Sequence, residues 1–498
     1  MSDPIPALIR VSPTDDVAVA LRAIEAGERV RLGGDEIEAR DAIPLGHKIA
    51  LHPIEAGATI RKYGFPIGRA LNALEPGQHV HTHNMATCLS GELTYDFAAT
   101  PQAPARSPAV QETFLGYARA DGRYGVRNEI WIAPSVGCTA RSAEKLARIA
   151  HDKFKGRVDG VYALMHVEGC SQLGDDLNRT RRLIASLARH PNAGGVLVLG
   201  LGCETNQAPA LVKEAGGVSA RLKWFNAQDV EDELEAGLAA IEELVAHAEQ
   251  DRRTPAPLSA LTIGLKCGGS DALSGLTANP LVGDVADWVT DAGGAAILTE
   301  IPELFGAEPI LMARAKNRDV FDRFAALANG FKRYYLERGH PVSENPSPGN
   351  MKGGITTLEE KSLGAVQKGG HAEMTDVIGY GEQVRSAGLT ILESPGNDGV
   401  SSTALAAASA QIILFTTGRG TPLGFPVPTV KISSNSAIAE RKPHWIDFDA
   451  GQILAGVPRA EAAAQLKALI LAIASGQATC NERNSEREMA IWRDGVTL

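Results

Sequence analysis

The sequence predicts a multidomain α/β protein in which a small β-rich domain precedes a larger body in two segments. Three observations carry this prediction. Short β-like stretches and turn signals fill the first 95 residues, a Pro/Ala-rich tract follows, and beyond residue 112 apolar strands alternate with helical segments. At 498 residues the chain has room for roughly two to four domains of about 100–200 residues each.

Taken in order, residues 7–11, 29–32 and 48–51 read as strands, with one short helix over 17–26 between them. Gly33-Gly34, Pro44-Leu45-Gly46, Gly57 and Gly64 mark the turns, and this first domain spans 1–95. Residues 96–111 read as a linker, because the Pro/Ala tract at 100–108 has no apolar periodicity. In the segment 112–255 the runs 130–136, 160–165 and 196–199 are continuously apolar, as strands buried on both faces of a parallel sheet are. Helices are expected over 140–154, 175–189, 207–215 and 230–249. In the last of these, Val230, Leu234, Leu238, Ile241 and Leu244 hold one face. The segment 256–498 repeats the pattern, with strands at 261–265, 296–298, 390–392, 412–415 and 430–432. Both segments read as doubly wound α/β layers.

Composition excludes several classes. A formal charge of −10 argues against a nucleic-acid partner, which needs a broad basic face. No apolar run reaches the roughly 20 residues of a membrane helix, and Met1-Ser2-Asp3-Pro4 lacks the features of a signal peptide, so a cytoplasmic protein is expected. The six cysteines are widely spaced without a CxxC, unlike a disulfide scaffold. No glycine-rich nucleotide motif occurs.

Chemistry concentrates in a few places. His79, His81 and His83 alternate, so an extended strand would put three imidazoles on one face, with Asn84 beside them. Neutral imidazole is a common ligand of first-row metals, which makes metal binding the sharper reading and a solvated surface strand the plainer one. Cys138, Cys170, Cys203 and Cys267 each stand at the carboxyl end of an apolar strand, before a helix. There they could hold a metal or an iron–sulfur cluster. The preferred reading is that a small thiol suits a crowded strand end, since ligand motifs of fixed spacing are missing. Polar loops at the same ends carry Asp121, Arg127, Asn128, His166, Lys266, Ser270 and Asp271. The backbone of Gly268-Gly269-Ser270 could favour an anion. Residues 345–354, with Asn350 and Lys352, read as a long polar loop without helix or strand, and Arg419 follows the strand at 412–415. As a set, these loops suggest a pocket for a polyhydroxylated acid.

Several strings together resemble the altronate/galactarate dehydratase family. They are Gly46-His47-Lys48, Lys62-Tyr63-Gly64, His79-Val80-His81-Thr82-His83-Asn84, Arg119-Ala120-Asp121-Gly122-Arg123, Gly200-Leu201-Gly202-Cys203-Glu204, Cys267-Gly268-Gly269-Ser270-Asp271, Asn345-Pro346-Ser347-Pro348-Gly349-Asn350 and Thr416-Thr417-Gly418-Arg419-Gly420. The resemblance implies an N-terminal SAF-type β-clip domain fused to a Rossmann-like α/β dehydratase body. It also implies elimination of water from a hexonate or hexarate to a 2-keto-3-deoxy acid.

A divalent metal is implied as well, Fe(II) first and Mn(II) second, with an iron–sulfur cluster still open. The metal is expected at His79, His81 or His83 with Asn84 nearby, and Cys138 and Cys267 as further ligands. The base stays open between His47, His166 and Lys266. Arg119, Arg127 and Arg419 are expected to hold carboxylates, with Asp121, Asn128, Ser270, Asp271, Asn350 and Lys352 completing the substrate site. The partner is then a small anionic sugar acid, and the enzyme a homo-oligomer, a dimer. The rivals are a sulfolactate-type lyase that eliminates sulfite and a non-catalytic sugar-acid-binding protein.

Overall fold

In a computed structural model that describes residues 6–97 and 112–498, the chain builds a small β domain and two parallel sheets with helices around them. Of the linker expected over 96–111, residues 98–111, with the whole Pro/Ala tract, lie outside the described residues.

The first domain pairs Leu8–Ile9, Val17–Ala20, Lys48–Ala50 and His79–Val80 in one antiparallel sheet. A hairpin of Arg29–Leu32 with Asp35–Glu38 and a three-stranded sheet of Thr59–Lys62, Phe65–Ala70 and Met85–Ala86 complete it. The helix expected over 17–26 is instead the strand Val17–Ala20, buried along its whole length. Four small or β-branched residues favour a pleated surface with neighbours on both sides over an isolated helical turn.

The middle segment holds a four-stranded parallel sheet in the order Val161–Ala163, Glu129–Pro134, Ala193–Gly200, Leu222–Asn226. Its helices Ala140–Lys153, Gly174–Ala188, Ala208–Glu214 and Glu233–Ala248 fall close to the expected spans. The strand Leu222–Asn226 is unanticipated, because it is only half-buried and its sequence Leu-Lys-Trp-Phe-Asn mixes polar with aromatic residues.

The last segment is built on a seven-stranded parallel sheet. From one edge its strands are Met374–Ile378, Gly388–Leu392, Ala295–Leu298, Thr262–Cys267, Ile412–Thr417, Thr429–Ser433 and Phe448–Asp449. The chain starts in the middle with Thr262–Cys267, winds to one edge, then returns to Ile412–Thr417 on the other flank. Strand order therefore reverses between Thr262–Cys267 and Ile412–Thr417, where parallel sheets open a crevice beyond their carboxyl ends. Among the described residues no helix is long and apolar enough to cross a membrane.

The middle and last segments are tied by buried ion pairs. Arg127 donates to both Glu482 oxygens, at 2.6 and 2.9 Å, and to the carbonyls of Val126, Ile473 and Gln477. Arg487 donates to both oxygens of Glu129, at 3.0 and 2.8 Å, which also accept from the Trp131 indole at 2.7 Å. Arg119 gives its donors to Pro191 O, Asn128 Oδ1, Asp251 Oδ2 and Arg127 O. Asn128 in turn bonds Ala248 O at 2.8 Å, and Asp121 pairs with Arg123 on the surface. Arg119, Arg127 and Asn128 therefore anchor the body, which speaks against the substrate role expected of them, while Asp121 stays on the surface with Arg123. The hydrogen-bonding capacity of Arg119, Arg127 and Asn128 is directed to protein partners.

Arg127→Met leaves Glu482 buried beside an unpaired site, so unfolding by denaturant should show a loss of about 3–5 kcal/mol. The KM of the folded fraction for any substrate should stay as in the parent.

Candidate active site

The crevice is lined from the strand ends. Strand Thr262–Cys267 ends in Lys266 and Cys267, both buried. The Lys266 ammonium donates to Glu300 Oε1 at 2.6 Å and to Asp398 Oδ1 at 2.7 Å. Glu300 follows strand Ala295–Leu298 in a left-handed conformation, φ 64° and ψ 61°. A non-glycine residue held there costs about 1–3 kcal/mol and is found mainly where function demands it. Cys267 Sγ lies 3.6 Å from Glu303 Oε2 and 3.9 Å from Glu300 Oε2, and accepts from Lys368 Nζ at 2.9 Å. Lys361 Nζ donates to Glu303 Oε1 at 2.7 Å, to Asn345 Oδ1 at 3.1 Å and to Asn350 Oδ1 at 3.3 Å. Three ammonium groups thus face three carboxylates around one thiol.

The electrostatics separate the two glutamates. Burial pushes the Glu300 carboxyl up; Lys266 opposes the rise and Glu303 adds to it. Burial works against ionised Glu303 as well, but Lys361 and Lys266 outweigh it and hold its carboxyl below the usual range. Two carboxyl groups pushed apart in this way suit a proton-transferring role for one and a fixed negative charge for the other. Burial alone would discharge Lys266, yet Asp398 and Glu300 raise it above an ordinary lysine. Held charged, Lys266 is a source of positive field and a poor base.

The crevice opens beside Asp398, whose side chain is 40% exposed while that of Lys266 is 0% exposed. Arg419 lies on the same rim, exposed, its backbone N–H on Gly269 O at 3.1 Å. Ser270 lines the floor, and Lys352 is exposed near the mouth. Asp271 and Asn350 act one step behind. Asp271 accepts from Ser274, Ser434 and Asn435, and Asn350 donates to Ser270 O at 2.7 Å. The loop expected over 345–354 contains the helix Pro348–Lys352, opened by a capping box between Ser347 and Asn350. A cavity of about 10 Å³ between Tyr63, Cys267, Ser270 and Lys361 is far below the ~300 Å³ of a ligand pocket. A ligand larger than a water molecule must therefore sit at the open mouth.

The first domain closes the other side of this mouth. His47 donates through Nε2 to Lys352 O at 3.3 Å and His81 through Nε2 to Met351 O at 3.0 Å. The strand ends at Val80 and residues 81–84 turn, with Asn84 N–H on His81 O at 3.0 Å, so the histidines do not alternate along one extended strand. The turn still gathers the rings. Centroids lie 5.4 Å apart for His79–His81 and for His79–His83, 5.1 Å for His47–His79 and 4.8 Å for His47–His81. His47 Nδ1 faces His79 Nε2 at 2.9 Å.

Asn84 is committed to the turn itself, donating to His79 O and accepting from His81 N–H. It is no free ligand. Burial, with neighbouring positive groups adding, lowers His79 to about 3 and His81 to about 4, and burial lowers His47. All three are neutral imidazoles near pH 7.

His166 and Cys138 belong elsewhere. His166 is buried in the middle domain, its Nε2 on Pro134 O at 2.8 Å and its Nδ1 accepting from Glu168 N–H at 3.2 Å. With both nitrogens engaged by backbone, it is not the base of this crevice. Cys138 stands on the four-stranded sheet with Cys170 and Cys203, whereas Cys267 belongs to the seven-stranded one. The four strand-end thiols therefore do not converge. Sequence reasoning passed over Glu300, Glu303, Lys361, Lys368 and Asp398 as site residues. Only the positions of Glu300 just after an apolar strand, and of Asp398 at a helix start, could have signalled them.

Known proteins are similar to this chain along its whole length. Residues 6–88 match the altronate/galactarate dehydratase SAF domain, 116–249 the D-galactarate dehydratase/altronate hydrolase second domain, and 258–497 the D-galactarate/altronate dehydratase C-terminal domain. An altronate dehydratase of Bacillus subtilis (strain 168) is 48% identical over 496 residues, covering 98% of this chain and 99% of that protein. An Escherichia coli (strain K12) altronate dehydratase is 45% identical over 493 residues, covering 98% and 99%. The galactarate dehydratase (L-threo-forming) of the same organism is 33% identical over 489 residues, covering 94% and 93%.

The depressed histidines predict the acid behaviour of the metal-free chain. Unfolded imidazoles take up a proton near pH 6.5, whereas folded His79 and His81 do so only near about 3 and about 4. Between those limits the unfolded state binds more protons, so stability falls as pH drops from about 7 to about 4. Denaturant midpoints across this range should show the fall, and the pair H79Q/H81Q should flatten it. By full-length similarity and by matches in all three segments, this chain belongs to the altronate/galactarate dehydratase family.

Proposed function

We propose that the chain is a hydro-lyase that removes water from a six-carbon sugar acid, an aldonate of the altronate type before an aldarate, to give the 2-keto-3-deoxy acid. The observation that carries this reading is the meeting of two unlike faces at one mouth. Neutral imidazoles of the first domain stand opposite a charge-balanced cluster at the strand-order reversal of the last one. The two full-length altronate dehydratases, at 48% and 45% identity against 33% for the galactarate enzyme, favour the aldonate.

The division of labour follows from the charges. Arg419 and Lys352, exposed cations on the rim, hold the substrate carboxylate. Removing the proton α to that carboxylate builds negative charge on its oxygens, which the positive field of clamped Lys266 stabilises. His47 is the base: its Nε2–H on Lys352 O fixes the tautomer, and its Nδ1 lone pair, which accepts from His79 Nε2 at 2.9 Å, takes the α proton once His79 turns to its own ligand. Glu300, held protonated more readily than an ordinary carboxyl, donates a proton to the departing hydroxyl.

The divalent metal that the resemblance implies would be held by the imidazoles of His79, His81 and His83, whose donor atoms are not gathered within 4.8 Å and would have to draw together around it. They are neutral donors, and the carbonyl of Met351 orients His81 as outer partners orient metal-bound histidines. Bound there, it would supply Lewis-acid polarisation of the substrate oxygens. Cys267, Glu300 and Glu303 also place donor atoms within 4.8 Å of one another, but Lys266, Lys361 and Lys368 already neutralise them. A second cation among three ammonium groups is disfavoured.

Incubation with altronate and with galactarate, followed by assay for 2-keto-3-deoxy acid, tests the reading. Product from altronate, lost on chelation and restored by Fe(II) or Mn(II), is the expected result. Sulfite release from sulfolactate in its place would assign the rival chemistry. His47→Gln should lower kcat by about 10²–10⁴-fold with little change in KM. Arg419→Gln should act mainly on KM.

A further inference from the structure

Three of the six cysteines gather at a second place, on the carboxyl edge of the four-stranded sheet. Cys138 follows strand Glu129–Pro134, Cys170 follows Val161–Ala163 and Cys203 follows Ala193–Gly200, three adjacent strands. All three thiols are exposed, although cysteine is among the residues most often buried. Cys267 and Cys480 keep to that rule, and exposed Cys88 lies in another domain.

The loops that carry the three thiols are laced to one another. Gly137 N–H donates to Glu168 O at 2.8 Å, which joins the Cys138 loop to the Cys170 loop. Asn206 N–H donates to Gly169 O at 2.9 Å and Ser171 N–H to Thr205 Oγ1 at 2.9 Å, which joins the Cys170 loop to the Cys203 loop. Ser135 Oγ donates to Glu204 Oε1 at 2.5 Å and Asn206 Nδ2 to Ser135 O at 3.0 Å, which closes the triangle. Every residue in these bonds stands within three positions of a cysteine.

The backbone is shaped for this approach. A Cβ on Gly137 would lie 2.7 Å from Val167 O, and one on Gly169 would lie 2.2 Å from Ser135 O. Gly169 has φ 105°, and Ser171, on the other side of Cys170, has φ 56°, a strained value for a residue with a side chain.

We propose that Cys138, Cys170 and Cys203 bind an iron–sulfur cluster of the cuboidal [4Fe–4S] type, with its fourth iron left to a non-protein ligand. Two features select this class over a single ion. The three sulfurs do not all lie within 4.8 Å of one another, as the donors of Cys267, Glu300 and Glu303 do, so they span more than one ion gathers. Cys138 also sits at the start of helix Ala140–Lys153, whose first turn carries no acidic residue. The positive end of that helix favours an anionic group such as a thiolate-ligated cluster beside it. On ligation each thiol gives its proton to solvent and its sulfur binds one iron.

The site is remote in sequence and sheet from the crevice of the last domain, and its test does not use turnover. The full chain, prepared without oxygen from iron-supplied cells, is assayed for iron and acid-labile sulfide and by Mössbauer spectroscopy. The expected result is about four iron and four sulfide per chain in the parent and in Cys88→Ser. Each of C138S, C170S and C203S should lose most of both, and the triple variant all of the sulfide, with helix content unchanged by circular dichroism. Parent protein without acid-labile sulfide would overturn the proposal, as would iron present only as isolated ferrous or zinc-like sites. Equal loss of sulfide in Cys88→Ser would overturn it too. Should a variant fail to fold, the sulfide content of the parent still decides.

Discussion

Glu360 holds the molecule's two functional halves against each other. Its carboxylate, in the fully buried helix Leu358–Ala365, accepts from Lys48 Nζ at 2.9 Å and Lys62 Nζ at 2.8 Å, both from the first domain. Thr356 adds its N–H and hydroxyl, at 2.9 and 2.7 Å. Burying three ionised groups is costly unless every charge is met, and here each is. Burial works against the Glu360 charge, but the two lysines outweigh it and hold its carboxyl far below the usual range. Burial brings Lys48 down to about 8, with Glu360 opposing the fall. No apolar contact specifies a docking register as narrowly as this set of bonds does.

The neighbours of Glu360 extend the same constraint in two other directions. Glu359 accepts from Thr87 Oγ1 at 2.8 Å and Cys88 N–H at 2.6 Å, which fastens the chain where it leaves the first domain. Lys361 reaches the opposite way, to Glu303 and the Asn345–Asn350 loop. Three consecutive residues of one helix thus join the docking surface, the exit segment and the active-site cluster. Because Asn350 opens the helix whose Met351 and Lys352 carbonyls receive His81 and His47, the imidazole face is set by the same chain of bonds. A displaced first domain would lose the histidines and the mouth together.

Much of the fold was legible from periodicity. Continuous apolar runs at 130–136 and 196–199 marked buried parallel strands, since such strands have no polar face to alternate with. Val17–Ala20 is a strand where periodicity favours a helix, because a stretch that short can satisfy either period. At the site, Lys266, Cys267, Ser270 and Arg419 were legible as strand-end residues, which is where parallel sheets place ligands. Arg119 and Arg127 have the same sequence character and turned out to be anchors. A guanidinium on a loop looks alike whether its partner is a substrate or a buried carboxylate such as Glu482, about 350 positions away in the chain.

Local pattern by itself determined the order of the three segments, the parallel character of the body and the presence of clustered histidines. Each of these depends on residues close in sequence, through side-chain period and turn chemistry. The tertiary structure alone decided which charges meet. Glu300 and Asp398 come to Lys266 from 34 and 132 residues away, and Glu360 comes to Lys48 from 312. It also divided the strand-end thiols into one beside the crevice and three on another sheet. Coulombic pairing and desolvation act through space, so neither a protonation state nor a shared site can be read before the chain has closed on itself.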